Sequence, residues 1–254
     1  IDYQVGFQQR VSNSSAIKIS AYYREQRDEV NQRQYFYAFP VGTYSSYDNR
    51  DFGTVKGFSF SYDLRETNNL SMKVNYTLQF AEGTGSNANQ NRGSTNRGDV
   101  RPFYPYDFDQ RHNIVISLDY RYKDGSAYNG PVLFGKNILA NTGLNLLTSV
   151  GSGRPFTPRS NPGFPAHTAA LDGNSRGGQD LNGDFNGARL PWTSRIDLRI
   201  DRDIRLGSPD KPIYLNIYAR SQNLLNTRNI VGIYSYTQSP TDDGYYSINA
   251  VPDQ

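Results

Sequence analysis

A two-residue rhythm constrains this chain more than any other feature. Over residues 70–80 every second position (Leu70, Met72, Val74, Tyr76, Leu78, Phe80) is apolar, and Ser71, Lys73, Asn75, Thr77 and Gln79 between them are polar. A β-strand sends successive side chains to opposite faces, so this segment builds one apolar face and one polar face. Alternation alone leaves two environments open: the apolar face meets lipid, or it meets a protein core.

The rhythm recurs roughly eight times along the chain, the pattern of a transmembrane barrel. A first strand near residues 1–11 carries Ile1, Tyr3, Val5 and Phe7 on one face, and a second carries Ile17, Ile19, Ala21 and Tyr23. Residues 25–54 are polar and Tyr-rich and read as a long loop with room for extended strand tips. A third strand sets Phe58, Phe60, Tyr62 and Leu64 against polar partners, and Glu66-Thr67-Asn68-Asn69 turns tightly into the 70–80 strand. After a stretch to Arg111 rich in Gly, Asn, Ser and Arg comes a fifth strand with Ile114, Ile116, Leu118 and Tyr120. A weaker sixth carries Leu144, Leu146 and Val150. A long loop over 151–192 precedes a seventh, with Ile196, Leu198 and Ile200, and an eighth, with Ile213, Leu215, Ile217 and Ala219.

Loop lengths favour lipid. Connections after strands one, three and seven are short, and those after two, four and six are long, the asymmetry of an outer-membrane barrel. A soluble β-sandwich does not sort its loops so. Composition agrees: apolar residues are only 36%, yet 20 Tyr and 13 Phe exclude a disordered chain. The polar face of the seventh strand (Arg195, Asp197, Arg199, Asp201) suits a water-filled lumen, and Tyr214 and Tyr218 of the eighth share that phase. The fold class expected is therefore all-β: part of an antiparallel up-and-down transmembrane β-barrel, roughly eight strands of a larger barrel.

Several functions are disfavoured. A net charge of +3, without any basic run, gives no nucleic-acid arm. With zero Cys there is neither a disulfide framework nor a thiolate metal site. His112 and His167 are the only histidines, and neither stands beside a Gly-x-Ser-x-Gly elbow, so no enzyme is expected. His112 is expected at a strand entrance as a hydrogen-bonding residue. The chain opens directly in a strand rather than a signal peptide, and the protein's start is expected upstream.

The most specific local motif is Asp180-Leu181-Asn182-Gly183-Asp184-Phe185-Asn186-Gly187. Oxygen donors at Asp180, Asn182, Asp184 and Asn186 are similar to the first half of a calcium loop. Phe185 stands where an EF-hand has Gly, and Pro191 where the closing Glu belongs. An Asx-rich surface turn explains the same residues, and both readings stand. Tyr22, Tyr23, Tyr62, Tyr120 and Tyr122 are candidates for an interfacial girdle. Ligand contact stays open for Tyr214, Tyr218, Tyr44, Tyr47, Tyr104 and Tyr106.

Three blocks carry a family resemblance. Tyr106-Asp107-Phe108-Asp109-Gln110-Arg111-His112 leading into an alternating strand, LPWTSRIDLRIDRDI at 190–204, and IYARSQNLLNTRNIVGIYSYT at 217–237 occur in that order. Together they resemble TonB-dependent outer-membrane receptors of the Bacteroidota type, in the Oar-like branch with a carboxypeptidase-regulatory-like domain. The resemblance implies that residues 1–254 are the C-terminal portion of a barrel of about 22 strands, with no plug domain in this stretch. It further implies an outer-membrane location and import of a siderophore, glycan or peptide. The implied partners are the TonB–ExbB–ExbD complex (reached through a plug not in this chain), outer-membrane lipid and a surface lipoprotein. A passive or adhesive barrel and a soluble β-sandwich binding module are the alternatives.

Overall fold

A computed structural model describes residues 1–36, 42–89, 102–159, 181–208 and 211–244. In chain order the strands are β1 (Asp2–Arg10), β2 (Ser15–Phe36), β3 (Thr43–Thr67), β4 (Leu70–Gly83) and the two-residue β5 (Tyr104–Pro105). Then come β6 (His112–Arg121), β7 (Val132–Leu133), β8 (Lys136–Asn137), β9 (Thr142–Gly151), β10 (Pro155–Phe156), β11 (Ala188–Arg189), β12 (Thr193–Ser208) and β13 (Lys211–Ser221). The eight long strands form one antiparallel meander in the order β1-β2-β3-β4-β6-β9-β12-β13. Every long strand therefore pairs with its neighbours in sequence, which is up-and-down topology. Among the described residues β1 and β13 do not pair with each other; they are the margins of an open sheet.

Ladder register aligns the rhythm of all eight strands on one face. Across the sheet, Phe7 opposes Ile19, Ile19 opposes Phe60 and Phe60 opposes Tyr76. The row continues through Ile114 and Val150. Lower down, Leu118 opposes Leu146, and Leu146 opposes Leu198. Lys56 and Arg202 are among the charged residues on this face, and both are exposed.

Nothing among the described residues covers this face. Among the described residues only Ala81, Tyr104 and Tyr106 are buried hydrophobics, and all three lie at one end of the sheet. Val5 is 73% exposed and Ile213 65% exposed. A soluble sandwich needs a second sheet packed on the apolar face. Here the element contacts run between neighbouring hydrogen-bonded strands. The sandwich alternative therefore lacks its core.

One end of the sheet carries the connections from β1 to β2, β3 to β4, β6 to β9 and β12 to β13; the other carries those from β4 to β6 and from β9 to β12. At the turn end, Asn68 and Asn69 both adopt positive φ (49° and 73°), the two-residue hairpin geometry Asn favours. The connection at 122–141 is longer than the others and holds a 3-10 turn (Gly125–Ala127) and the β7–β8 ribbon.

The expected loop over 25–54 is corrected. Most of it is strand, because β2 runs on to Phe36 and β3 starts at Thr43. The ladder between β3 and β4 ends at Gly53 opposite Gly83. Beyond this point β2 and β3 continue to pair with each other as a ribbon, with a register slip between Gln26 and Glu29. Both ribbon faces meet water over most of their length, so neither needs apolar residues and the alternation that marks a half-buried strand disappears.

Candidate functional site: the polar face and the loop end

The polar face of β12 is organised by ion pairs. Arg195 grips Asp197 with two hydrogen bonds of 2.7 Å each, and the Asn223 backbone N–H donates to the same carboxylate at 2.9 Å. Asp201 accepts from Arg121 of β6 at 2.8 Å and lies 3.7 Å from Arg199. Arg199 in turn covers the Tyr218 ring at 4.7 Å. Asp197 and Asp201 are buried under guanidinium groups that stay partly exposed. A planar guanidinium satisfies two carboxylate oxygens at once, which lets the acids sit low while the cations meet water.

Register places the six residues expected to share the polar face together. Asp201 opposes Tyr218 and Arg205 opposes Tyr214, while Arg195, Asp197 and Arg199 keep the same phase on β12. Ile196, Leu198 and Ile200 occupy the other face. Tyr214 and Tyr218 are both more than 60% exposed.

The loop end is a sealed cluster. Tyr106 lies across the facing pair Gly53 and Gly83, where an added Cβ would fall 1.7 Å and 2.2 Å from its hydroxyl oxygen. That hydroxyl donates to Glu29 at 3.4 Å. Burial, then the facing Glu29 carboxylate, pushes the Tyr106 phenol well above the usual tyrosine range. Tyr104 packs on Phe185 with centroids 4.6 Å apart. The expectation that Tyr104 and Tyr106 stay open to ligand is thus corrected: both are buried as packing residues. Tyr44 and Tyr47 on the ribbon remain exposed.

Asp109 anchors the cluster and escaped the sequence reading as an individual residue. Its carboxylate accepts from the Ala81 backbone N–H at 2.8 Å and forms a close ion pair with Arg189. Arg189 also donates to the Asp109 and Gly153 carbonyls, joining three segments distant in sequence. Only its place in the Tyr106–His112 block signalled it.

In the acidic loop, Asp180 lies outside the described residues. Asn182 and Asp184 are exposed, whereas Asn186 is buried. Asn186 donates to the Pro105 carbonyl at 2.8 Å and to Asp107 at 2.7 Å, and its oxygen meets the Thr157 hydroxyl at 3.1 Å. A positive φ of 54° presents the side chain to these partners. The residue clamps two loops together.

His112 opens β6, as expected, and hydrogen-bonds Tyr76 through Nδ1 at 3.0 Å. Its ring stacks between Tyr76 and Trp192 on the apolar face near the loop end. Tyr23 and Tyr62 also lie on that face. Tyr22 does not: it sits on the polar face, over Gly57, and donates to Gln79 at 3.2 Å, so it leaves the girdle set.

No family model matches the chain, and no curated protein matches it. Among solved structures it is similar to the outer membrane transporter YddB from Escherichia coli, with a TM-score of 0.61 at 13% identity. The match covers 91% of this chain and 29% of that one, so this chain spans under a third of its structural neighbour. The fold is that of an outer-membrane barrel wall. Sheet order, register and the uncovered apolar face all agree with it.

Proposed function

We propose that this chain is a section of wall in a TonB-dependent receptor of the bacterial outer membrane, importing a siderophore, glycan or peptide. The observation that carries the membrane part is the apolar face, continuous across eight strands and covered by none of the described residues. In water such a face would drive association; against acyl chains it needs no further layer. The polar face then lines the lumen, and Arg195, Arg199, Tyr214 and Tyr218 offer cationic and aromatic contacts to a passing ligand. The turn end faces the periplasm and the loop end the exterior. Energy coupling through TonB–ExbB–ExbD, by way of a plug, rests on the resemblance of the three sequence blocks, as does a surface lipoprotein partner.

Two measurements test the reading. Val74 lies on the apolar face and Asn75 on the polar face of the same strand. Val74→Arg in the native protein should cost about 2–4 kcal/mol and hinder membrane insertion, while Asn75→Arg inserts normally. Equal effects would overturn the orientation. For coupling, the purified native protein should bind the periplasmic domain of TonB; no binding would favour a passive or adhesive barrel.

A further inference from the structure

The 122–141 connection differs from the other turns in what it displays. Its β7–β8 ribbon turns at Phe134-Gly135, and Phe134 is 94% exposed at the tip. Val132 and Leu133 beside it are also exposed, giving three consecutive exposed apolar side chains. The backbone makes the choice of residue more pointed. Phe134 has φ +49° and Gly135 φ +71°, a two-residue turn that Asn-Gly adopts without strain. A bulky aromatic there is strained, and strain of this kind marks a position held for what its side chain does.

The tip is also continuous with the apolar face of the sheet. Tyr120 on that face meets Tyr122 edge-on at 5.2 Å, and Tyr122 packs on Tyr128 at 5.9 Å. The Tyr128 hydroxyl donates to the Pro131 carbonyl at 2.6 Å and accepts from the Leu139 N–H at 3.3 Å, gripping both arms of the ribbon. A chain of three tyrosines therefore ties the ribbon to the border of the sheet's apolar face. Lys136 lies directly across from Leu133 and makes no ion pair among the described residues.

We propose that the β7–β8 ribbon is an interfacial anchor that inserts into the adjacent phospholipid leaflet. Phe134 enters the acyl boundary and Lys136 meets a lipid phosphate. Aromatic tips flanked by lysine occupy this depth because the ring suits the headgroup boundary and the ammonium suits the anionic layer above it. The inference rests on the membrane reading of the sheet.

Spin labels test it in the native protein, reconstituted into vesicles of phosphatidylethanolamine and phosphatidylglycerol. A nitroxide at Phe134→Cys should collide readily with dissolved oxygen and several-fold less with an aqueous nickel chelate than one at Ser126→Cys. High nickel accessibility at Phe134→Cys would overturn the anchor, placing the tip in water. Exclusion of both agents would also overturn it, because a protein partner would then cover the tip. Adding Lys136→Glu should raise nickel accessibility at the tip; an unchanged value would remove Lys136 from the anchor. A label at Val74→Cys separates the two readings. If it is oxygen-accessible while the tip is not, only the anchor fails; if neither is, the membrane reading fails.

Discussion

Arg121 reaches Asp201 across an entire strand. Both residues pair with Gly143 of β9, one from each side, and the guanidinium donates to the carboxylate at 2.8 Å over the glycine. A Cβ at Gly143 would fall 2.4 Å from Arg121 Nη2, so the missing side chain is what opens the path.

Gly143→Val should therefore break this pair and leave Asp201, 6% exposed, short of a donor. The expected loss is about 2 kcal/mol, since removing a partner from a buried charged group costs roughly that much. Urea unfolding in detergent micelles checks it. In a double-mutant cycle with Asp201→Asn, a coupling energy near zero would show that the ion pair is not the reason.

The slot formed by Gly53 and Gly83 should be equally intolerant. Gly53→Ala forces the Tyr106 ring out and loosens the segment it anchors, so trypsin should cut at Arg111 several-fold faster. Tyr106→Phe fills the slot and loses only the contact to Glu29, at a cost of about 1 kcal/mol or less. Equal protease sensitivity in the two variants would place the cause elsewhere.

A pH dependence follows from the same residue. The Tyr106 phenol holds its proton more tightly in the folded protein than the ordinary value of about 10 allows. Its contribution to stability is therefore complete below about pH 10 and is lost as pH rises through the higher folded-state value. In alkaline unfolding the native protein should lose stability relative to Tyr106→Phe as pH rises above about 10. A native advantage that grows with pH instead would contradict the assignment.

Asn186 holds its loop by bonds to Pro105, Asp107 and Thr157. Asn186→Ala should release the loop and accelerate proteolysis there, and should do so equally with millimolar calcium and with chelator. Rescue of the native-like pattern by calcium alone would instead favour cation binding at the remaining donors Asp180, Asn182 and Asp184.

The eight strands were legible because one face must be apolar along each, and a period of two survives in sequence whether or not the neighbours are known. Tyr76, Ile114 and Val150 could each be assigned a face before their pairing was known. What was not legible lacked that constraint. The β2–β3 ribbon meets water on both sides over most of its length, so residues 25–36 carry no periodic signal. Asp109 and Arg189 are 80 positions apart, and nothing local announces their contact. Tyr106 reads as a loop aromatic until the two glycines beneath it are seen to face each other.

That ribbon also sets a distance. Residues 27–36 of β2 lie beyond the last pairing of β3 with β4, and ten extended residues span about 33 Å. Under the proposed orientation, an object the size of a folded protein arriving from the loop side would meet the exposed rings of Tyr44 and Tyr47 well away from the bilayer.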